Sequence, residues 1–147
     1  MKKFFIAVSI LLTVGCSVSY AAGKDKINPK AVAVLQKEFA GAKNVEWSDK
    51  KEFLKAAFIL NDSRVEAYFS SEGELIGTAR NLLFNQLPLA VIKQVDRRFG
   101  SATVYEIVEY CFNDETVYSM TVETLLKKLK IKSTLSGGVW VEKKIKK

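Results

Sequence analysis

Asn28-Pro29-Lys30-Ala31-Val32-Ala33-Val34-Leu35-Gln36-Lys37-Glu38-Phe39-Ala40-Gly41 returns in altered form about sixty residues later as Leu87-Pro88-Leu89-Ala90-Val91-Ile92-Lys93-Gln94-Val95-Asp96-Arg97-Arg98-Phe99-Gly100-Ser101. Both stretches place a proline at the start, apolar residues at helical spacing, a terminal Phe and then small residues. Asn28 is suited to cap a helix whose first position is Pro29, where a missing N–H costs nothing. Val32, Leu35 and Phe39 form one apolar stripe; Val91, Ile92, Val95 and Phe99 form the other. An amphipathic helix of this kind needs a sheet to cover its stripe. Strand-like segments follow each helix, and Val65-Glu66-Ala67-Tyr68 leading to Gly73 aligns with Leu129-Lys130-Ile131-Lys132 leading to Gly137 at an offset of sixty-four. The expectation is an α+β fold: a tandem repeat, about 28–80 and 87–147, of a helix followed by an antiparallel β-meander. Both helices then pack on one face of a continuous antiparallel sheet.

Within the first unit, Val45-Glu46-Trp47 reads as a short extended piece. Leu54, Ala56, Phe58 and Leu60 alternate with Phe53, Lys55, Ala57 and Ile59. Asn61-Asp62-Ser63 turns the chain into Arg64 to Ser70, and Ser71-Glu72-Gly73 leads to a shorter strand around Leu75 to Ala79, with a mixed apolar link after it. In the second unit Tyr105 to Phe112 is longer than its counterpart, and an insertion of about four residues near Tyr110 to Glu115 accounts for the growth of the offset. Tyr118, Met120 and Val122 fall where Leu54, Ala56 and Phe58 fall; Ser119, Thr121 and Glu123 take the other face. Lys128 to Ser133 alternates apolar with charged, and Ser136-Gly137-Gly138 leads into a last strand from Val139 to Ile145.

Ahead of these units, Lys2-Lys3, the apolar run Phe4 to Val14 and Ser19-Tyr20-Ala21 read as a secretory signal spanning 1–21, cut after Ala21. A competing reading is lipid attachment at Cys16 in Thr13-Val14-Gly15-Cys16, which would make the protein an outer-membrane lipoprotein. The chain of 147 residues carries 23 basic and 16 acidic residues; removing 1–21 takes only Lys2 and Lys3, leaving net +5 over about 126 residues. That length suits a single domain, 22–147, without staples and without a transmembrane span. The modest surplus requires no nucleic-acid partner. Cys111 is then the one cysteine left, so packing rather than a disulfide must hold the fold, and Tyr110-Cys111-Phe112 in an apolar run points to a buried, inert thiol.

With no histidine in the chain, His-based triads and the usual zinc sites are excluded. Ser48-Asp49-Lys50-Lys51 has Ser-x-x-Lys spacing but lies in a polar turn. Glu46, Glu66, Glu106 and Glu109 sit on alternating strands where a wet carboxylate is ordinary, and Asp62, Asp114 and Glu115 are turn residues without calcium-loop spacing. The expectation is no enzyme, no cofactor and no metal.

Phe39, Asn44-Val45-Glu46-Trp47, Ala57-Phe58, Tyr68-Phe69, Gly73 and Leu87-Pro88 together resemble the PepSY-like, β-lactamase-inhibitor-like periplasmic proteins common in Bacteroidetes. That resemblance implies helices on one face of an antiparallel sheet whose other face is open. It also implies location in the periplasm or secretion, and no chemistry. The family name is borrowed from an inhibitor that clasps its enzyme with the open sheet face.

On such a face the candidate partner-binding residues are Phe53, Lys55, Arg64, Tyr68, Ser119 and Thr121, with Lys128, Lys130 and Lys132 on the basic strand. Trp47 and Trp140 are expected near the first group. Exposed aromatics rimmed by cations are what protein interfaces use as anchors. The reading is therefore an exported binding module for a protein, with inhibition of an envelope enzyme as one outcome. The alternative is an envelope-anchored structural lipoprotein whose lysines, with Lys143, Lys144, Lys146 and Lys147, meet an anionic glycolipid. Homodimerisation would bury the same aromatics.

Overall fold

Asn28 opens the first helix by accepting the Lys30 N–H on its side-chain oxygen at 2.9 Å, and its side-chain amide donates to Ser71 O at 2.8 Å, tying the helix start to a distant turn. The computed structural model describes residues 27–146; the expected signal segment and Cys16 lie outside them. In chain order the elements are α1 (Pro29–Glu38), β1 (Lys43–Asp49), β2 (Leu54–Leu60), β3 (Ser63–Phe69), β4 (Leu75–Leu82), a 3-10 turn at Phe84–Gln86, α2 (Leu89–Phe99), β5 (Thr103–Phe112), β6 (Glu115–Glu123), β7 (Lys128–Thr134) and β8 (Val139–Ile145). This is an α+β fold: two α-helices among the described residues and one eight-stranded antiparallel sheet in the order β1 to β8.

β4 reaches Leu82, past the Ala79 limit read from the sequence, because Gly77 to Leu82 also pairs with Phe112 to Ile107 of β5. That pairing joins the last strand of the first half to the first strand of the second. α2 begins at Leu89 with Pro88 as its N-cap.

The apolar stripes of the helices find the strand faces their periodicity requires. Ala31 and Leu35 lie in one buried cluster with Trp47, Ala56, Phe58, Ala67 and Phe69; Val91 and Val95 lie in another with Ile107, Tyr118, Met120, Val122 and Ile131. Register places both clusters on one side, because Val65 stands across from Arg80, Arg80 from Glu109, and Glu109 from Tyr118. Between the clusters runs a polar seam of Thr78, Arg80, Glu109, Cys111 and Thr116. Cys111 is half-buried, its Sγ 3.6 Å from the Thr116 hydroxyl, so the fully buried thiol expected from the apolar run does not occur. The strand alternates, and the thiol side meets a polar row.

Corresponding turns use the same devices. Ser70 and Thr134, sixty-four apart, each open a four-residue turn in which the hydroxyl accepts the N–H four residues on, at 3.2 and 3.0 Å. Gly73 and Gly137 follow at φ 81° and 90°, and a Cβ on either would strike a helix start, 2.7 Å from Ala31 N or 2.8 Å from Ala90 O. Only glycine meets both demands without strain. The β5–β6 hairpin is longer than the β1–β2 hairpin. Asp49 pairs with Leu54 across four intervening residues, whereas the matching pair Glu109 and Tyr118 has eight between them. The extra length continues the β5–β6 ladder to Phe112 and Glu115 and closes it at Asn113-Asp114, both at positive φ (49° and 62°), as the tight hairpin turn requires.

Candidate functional site

The sheet face opposite the two helices is the surface to examine, and its layout follows from pairing. One row across it reads Lys55, Tyr68, Gly77, Phe112 and Glu115; the next reads Glu46, Ala57, Glu66, Ala79, Tyr110 and Val117. β4 contributes only Gly77 and Ala79 to these rows, between bulky residues of β3 and β5. A shallow trough therefore runs along β4, two strand spacings or roughly 10 Å between its flanking backbones.

Aromatic rings close one end of the trough. Phe53 meets Tyr68 edge-on with centroids 5.6 Å apart, and Tyr68 meets Phe112 at 5.2 Å. Phe112 lies directly over Gly77, where an added Cβ would come within 2.2 Å of the ring. Tyr110, 37% exposed, is the most accessible aromatic of the group.

Glu66 is the electrostatic centre. Tyr68 donates its phenol to Glu66 Oε2 at 2.8 Å, Lys55 Nζ lies 3.2 Å from Oε1, and an Arg64 guanidinium nitrogen lies 3.7 Å from the same oxygen. Partial burial works to raise the Glu66 carboxyl, but the hydrogen bonds from Tyr68 and Lys55 and the charges of Lys55 and Arg64 outweigh it. The group is held below its ordinary range. Burial first, and then the neighbouring Glu66 carboxylate, push the Tyr68 phenol well above the usual value, so it stays a donor.

Four expected contact residues, Phe53, Lys55, Arg64 and Tyr68, thus come together. Three other placements correct the sequence reading. Ser119 and Thr121 are on the right face but only 4% and 0% exposed; Thr121 donates to Glu106 at 2.7 Å, so both form floor rather than contact surface. Their short side chains sit between longer neighbours. Trp47 pairs with Ala56 and packs on Phe69 at 5.4 Å in the helix-side core, because its side-chain parity is opposite to that of Glu46. Trp140 stands across from Lys132 on the open face, far along the sheet from Tyr68.

The basic strand is partly neutralised. Lys128 sits over the Tyr105 ring at 5.2 Å, Lys130 is 4.0 Å from Glu106, and Lys132 pairs with Glu142 at 2.6 Å. This part of the face is mixed in charge rather than uniformly cationic. Glu66, Tyr110 and Phe112 were missed as site residues. The alternation Tyr110-Cys111-Phe112 held the signal, but only the register against β4 shows which side the rings occupy.

Glu109, expected to be wet, instead faces the helix side and pairs with Arg80 at 2.6 Å beside a cleft of about 320 Å³. Burial, followed by the Glu109 carboxylate, pushes the Tyr118 phenol there up to about 12. Ser48 lies on β1 and Lys51 in the turn after it, with the Lys51 N–H donated to Asp49; the lysine across from Ser48 is Lys55, whose Nζ is paired with Glu66 at 3.2 Å. Among the described residues no cluster of His, Cys, Asp or Glu is placed to hold a metal, and no helix is long and apolar enough to cross a membrane.

No family model matches the sequence, and no curated protein matches it. Solved structures do. A BLIP-like protein from Bacteroides fragilis superimposes with TM-score 0.72 at 22% identity, over 85% of this chain and 91% of that one. A proposed periplasmic protein from Bacteroides eggerthii gives 0.69 at 18% identity, over 82% and 89%. A DUF2874 family protein from Bacteroides uniformis gives 0.68 at 18% identity, over 78% and 86%. The eight-stranded sheet with its two helices is therefore the fold seen in BLIP-like and DUF2874 family proteins of Bacteroides.

Proposed function

We propose that the protein is an exported, non-enzymatic binding module, a single domain of two fused repeats, which recognises a partner protein through the uncovered sheet face. The observation that carries this reading is the patch formed by Phe53, Tyr68, Phe112 and Tyr110 beside the Lys55–Glu66–Arg64 network. Phe53, Tyr68 and Phe112 are held by ring contacts through Tyr68, so little of their side-chain freedom is lost on binding. Mixed charge at the rim supplies orientation and selectivity.

Two further points support it. The fold is that of a protein described as BLIP-like, and the resemblance read from the sequence implies engagement through the open face; inhibition of an envelope enzyme is one form this could take. The matched turns Ser70–Gly73 and Thr134–Gly137 support descent from one repeated unit. Export is supported by the amino-terminal sequence and by likeness to a proposed periplasmic protein.

The test uses the chain from Ala22 onward, which keeps every described helix and strand, to capture proteins from a cell envelope. Tyr110→Ala with Arg64→Ala is the control, because both residues are exposed and neither lies in a buried cluster. A single protein retained by the parent and reduced at least about tenfold by the variant is expected. Equal retention by both would refute the assignment of the open face.

A further inference from the structure

The turn joining β6 to β7 carries Leu125 and Leu126, 96% and 92% exposed. Hairpin geometry does not call for them. Thr124 holds the turn: its N–H donates to Lys127 O at 2.9 Å, and its hydroxyl accepts the N–H groups of Leu126 and Lys127 at 3.3 and 3.1 Å. Sixty-four residues earlier, the matching β2–β3 turn has Asn61-Asp62 at these positions. One turn is closed by two polar residues at positive φ, 48° and 60°, and the other by two exposed leucines held by the Thr124 hydroxyl.

The surroundings are basic. Lys127 lies in the turn, Lys128 begins β7, and β8 ends beside it, with Lys128 across from Ile145, Leu129 from Lys144 and Lys130 from Lys143. Lys130 and Lys143 are like charges set directly opposite, offset on one side by Glu106, 4.0 Å from Lys130. Counting Lys146, six lysines ring this end of the sheet against Glu106, Glu123 and Glu142. Lys128 and Lys130 stand on the open side and Lys144 on the helix side, so cations flank the tip on both faces.

A convex point of two leucines is too small to form the roughly 800 Å² that each partner contributes to a stable protein interface. It does suit a soft surface that accepts apolar side chains below a layer of negative charge. We propose that Leu125-Leu126 is a membrane-docking tip, entering the interfacial zone of an anionic bilayer while the adjacent lysines meet lipid head groups. This is independent of the open-face reading and would fix the orientation in which that face is presented.

The test measures co-sedimentation of the chain from Ala22 onward with phosphatidylcholine vesicles, with and without about one third phosphatidylglycerol. The parent should bind the anionic vesicles, with affinity falling as salt rises. Leu125→Asn with Leu126→Asn keeps the charge and should lower binding at least about tenfold with the melting temperature unchanged. Lys127→Gln with Lys144→Gln should weaken anionic binding by roughly fivefold per lysine and flatten the salt dependence. Failure of the parent to bind, binding unchanged by loss of the leucines, or equal binding to neutral vesicles would overturn the proposal. So would a leucine variant that turns a dimer into a monomer in sedimentation, since the tip would then be a contact between copies.

Discussion

Phe112 covers Gly77 so closely that its ring occupies the space a Cβ at position 77 would need, 2.2 Å from one ring carbon and 2.4 Å from another. Gly77 lies on β4 and Phe112 at the end of β5, where the β5–β6 ladder runs on to its hairpin turn. The contact joins β4 to β5 on the open face. Gly77→Ala should therefore destabilise the protein by about 1–3 kcal/mol through overpacking. In a Phe112→Ala background the same change should be neutral or slightly stabilising. Urea unfolding of the four-member cycle checks this, and additive costs would show that the ring does not confine Gly77.

Gly73→Ala and Gly137→Ala should each cost about 1–3 kcal/mol, since both combine positive φ with a helix backbone in the way. Gly41→Ala shares the positive φ, at 91°, but faces open space and should cost less. Matching losses at 73 and 137, larger than the loss at 41, are expected in denaturant titrations. A large effect at only one of the two would mean that the turns are not equivalent.

Acid should reveal the Glu66 network. Its folded carboxyl titrates below the ordinary 4.5, so the unfolded chain takes up the proton first. The stability that Glu66 contributes is present above about pH 4.5 and is lost as pH falls through the lowered value. Glu66→Gln should reduce stability at pH 7 by about 1 kcal/mol, the small value expected of a partly exposed network. The difference from the parent should vanish by pH 2. A constant difference across that range would place the effect in packing rather than charge.

Tyr68→Phe should raise the Glu66 pKa, because it removes the strongest hydrogen bond to that carboxylate. Carbon-13 NMR of the glutamate carboxyls reads the shift directly. An unchanged titration would show that Lys55 and Arg64 alone set the charge state.

Much of the fold was legible in the sequence because its signals are local. Pro29 and Pro88 mark the helix starts, Leu54 to Leu60 is an apolar run broken by Lys55 on one face, and Asn61-Asp62 supplies the turn chemistry. The face of Tyr118, Met120 and Val122 follows from strict period-two patterning, and that of Leu54, Ala56 and Phe58 from the position of Lys55. What could not be read depends on pairing between distant strands. Trp47 was set on the wrong side because one parity step in a short strand reverses a side chain. Ser119 and Thr121 have the right parity, but their burial depends on how far Glu106, Lys130 and Lys132 reach over them. The Tyr68–Phe112 contact requires the register of β3 on β4 and of β4 on β5, which no local pattern encodes. Glu106 adds a further step: a bulge between Tyr105 and Val108, with Glu106 at φ 52°, re-aims the strand where the sequence shows only alternation.

Partner contact through the open face is tested most directly by photo-crosslinking in cells, with p-benzoylphenylalanine replacing Tyr110 on that face or Lys93 on the outer side of α2. The account predicts a discrete adduct with another protein from position 110 and none from position 93. An adduct from 93 alone, or the same adduct from both, would contradict it.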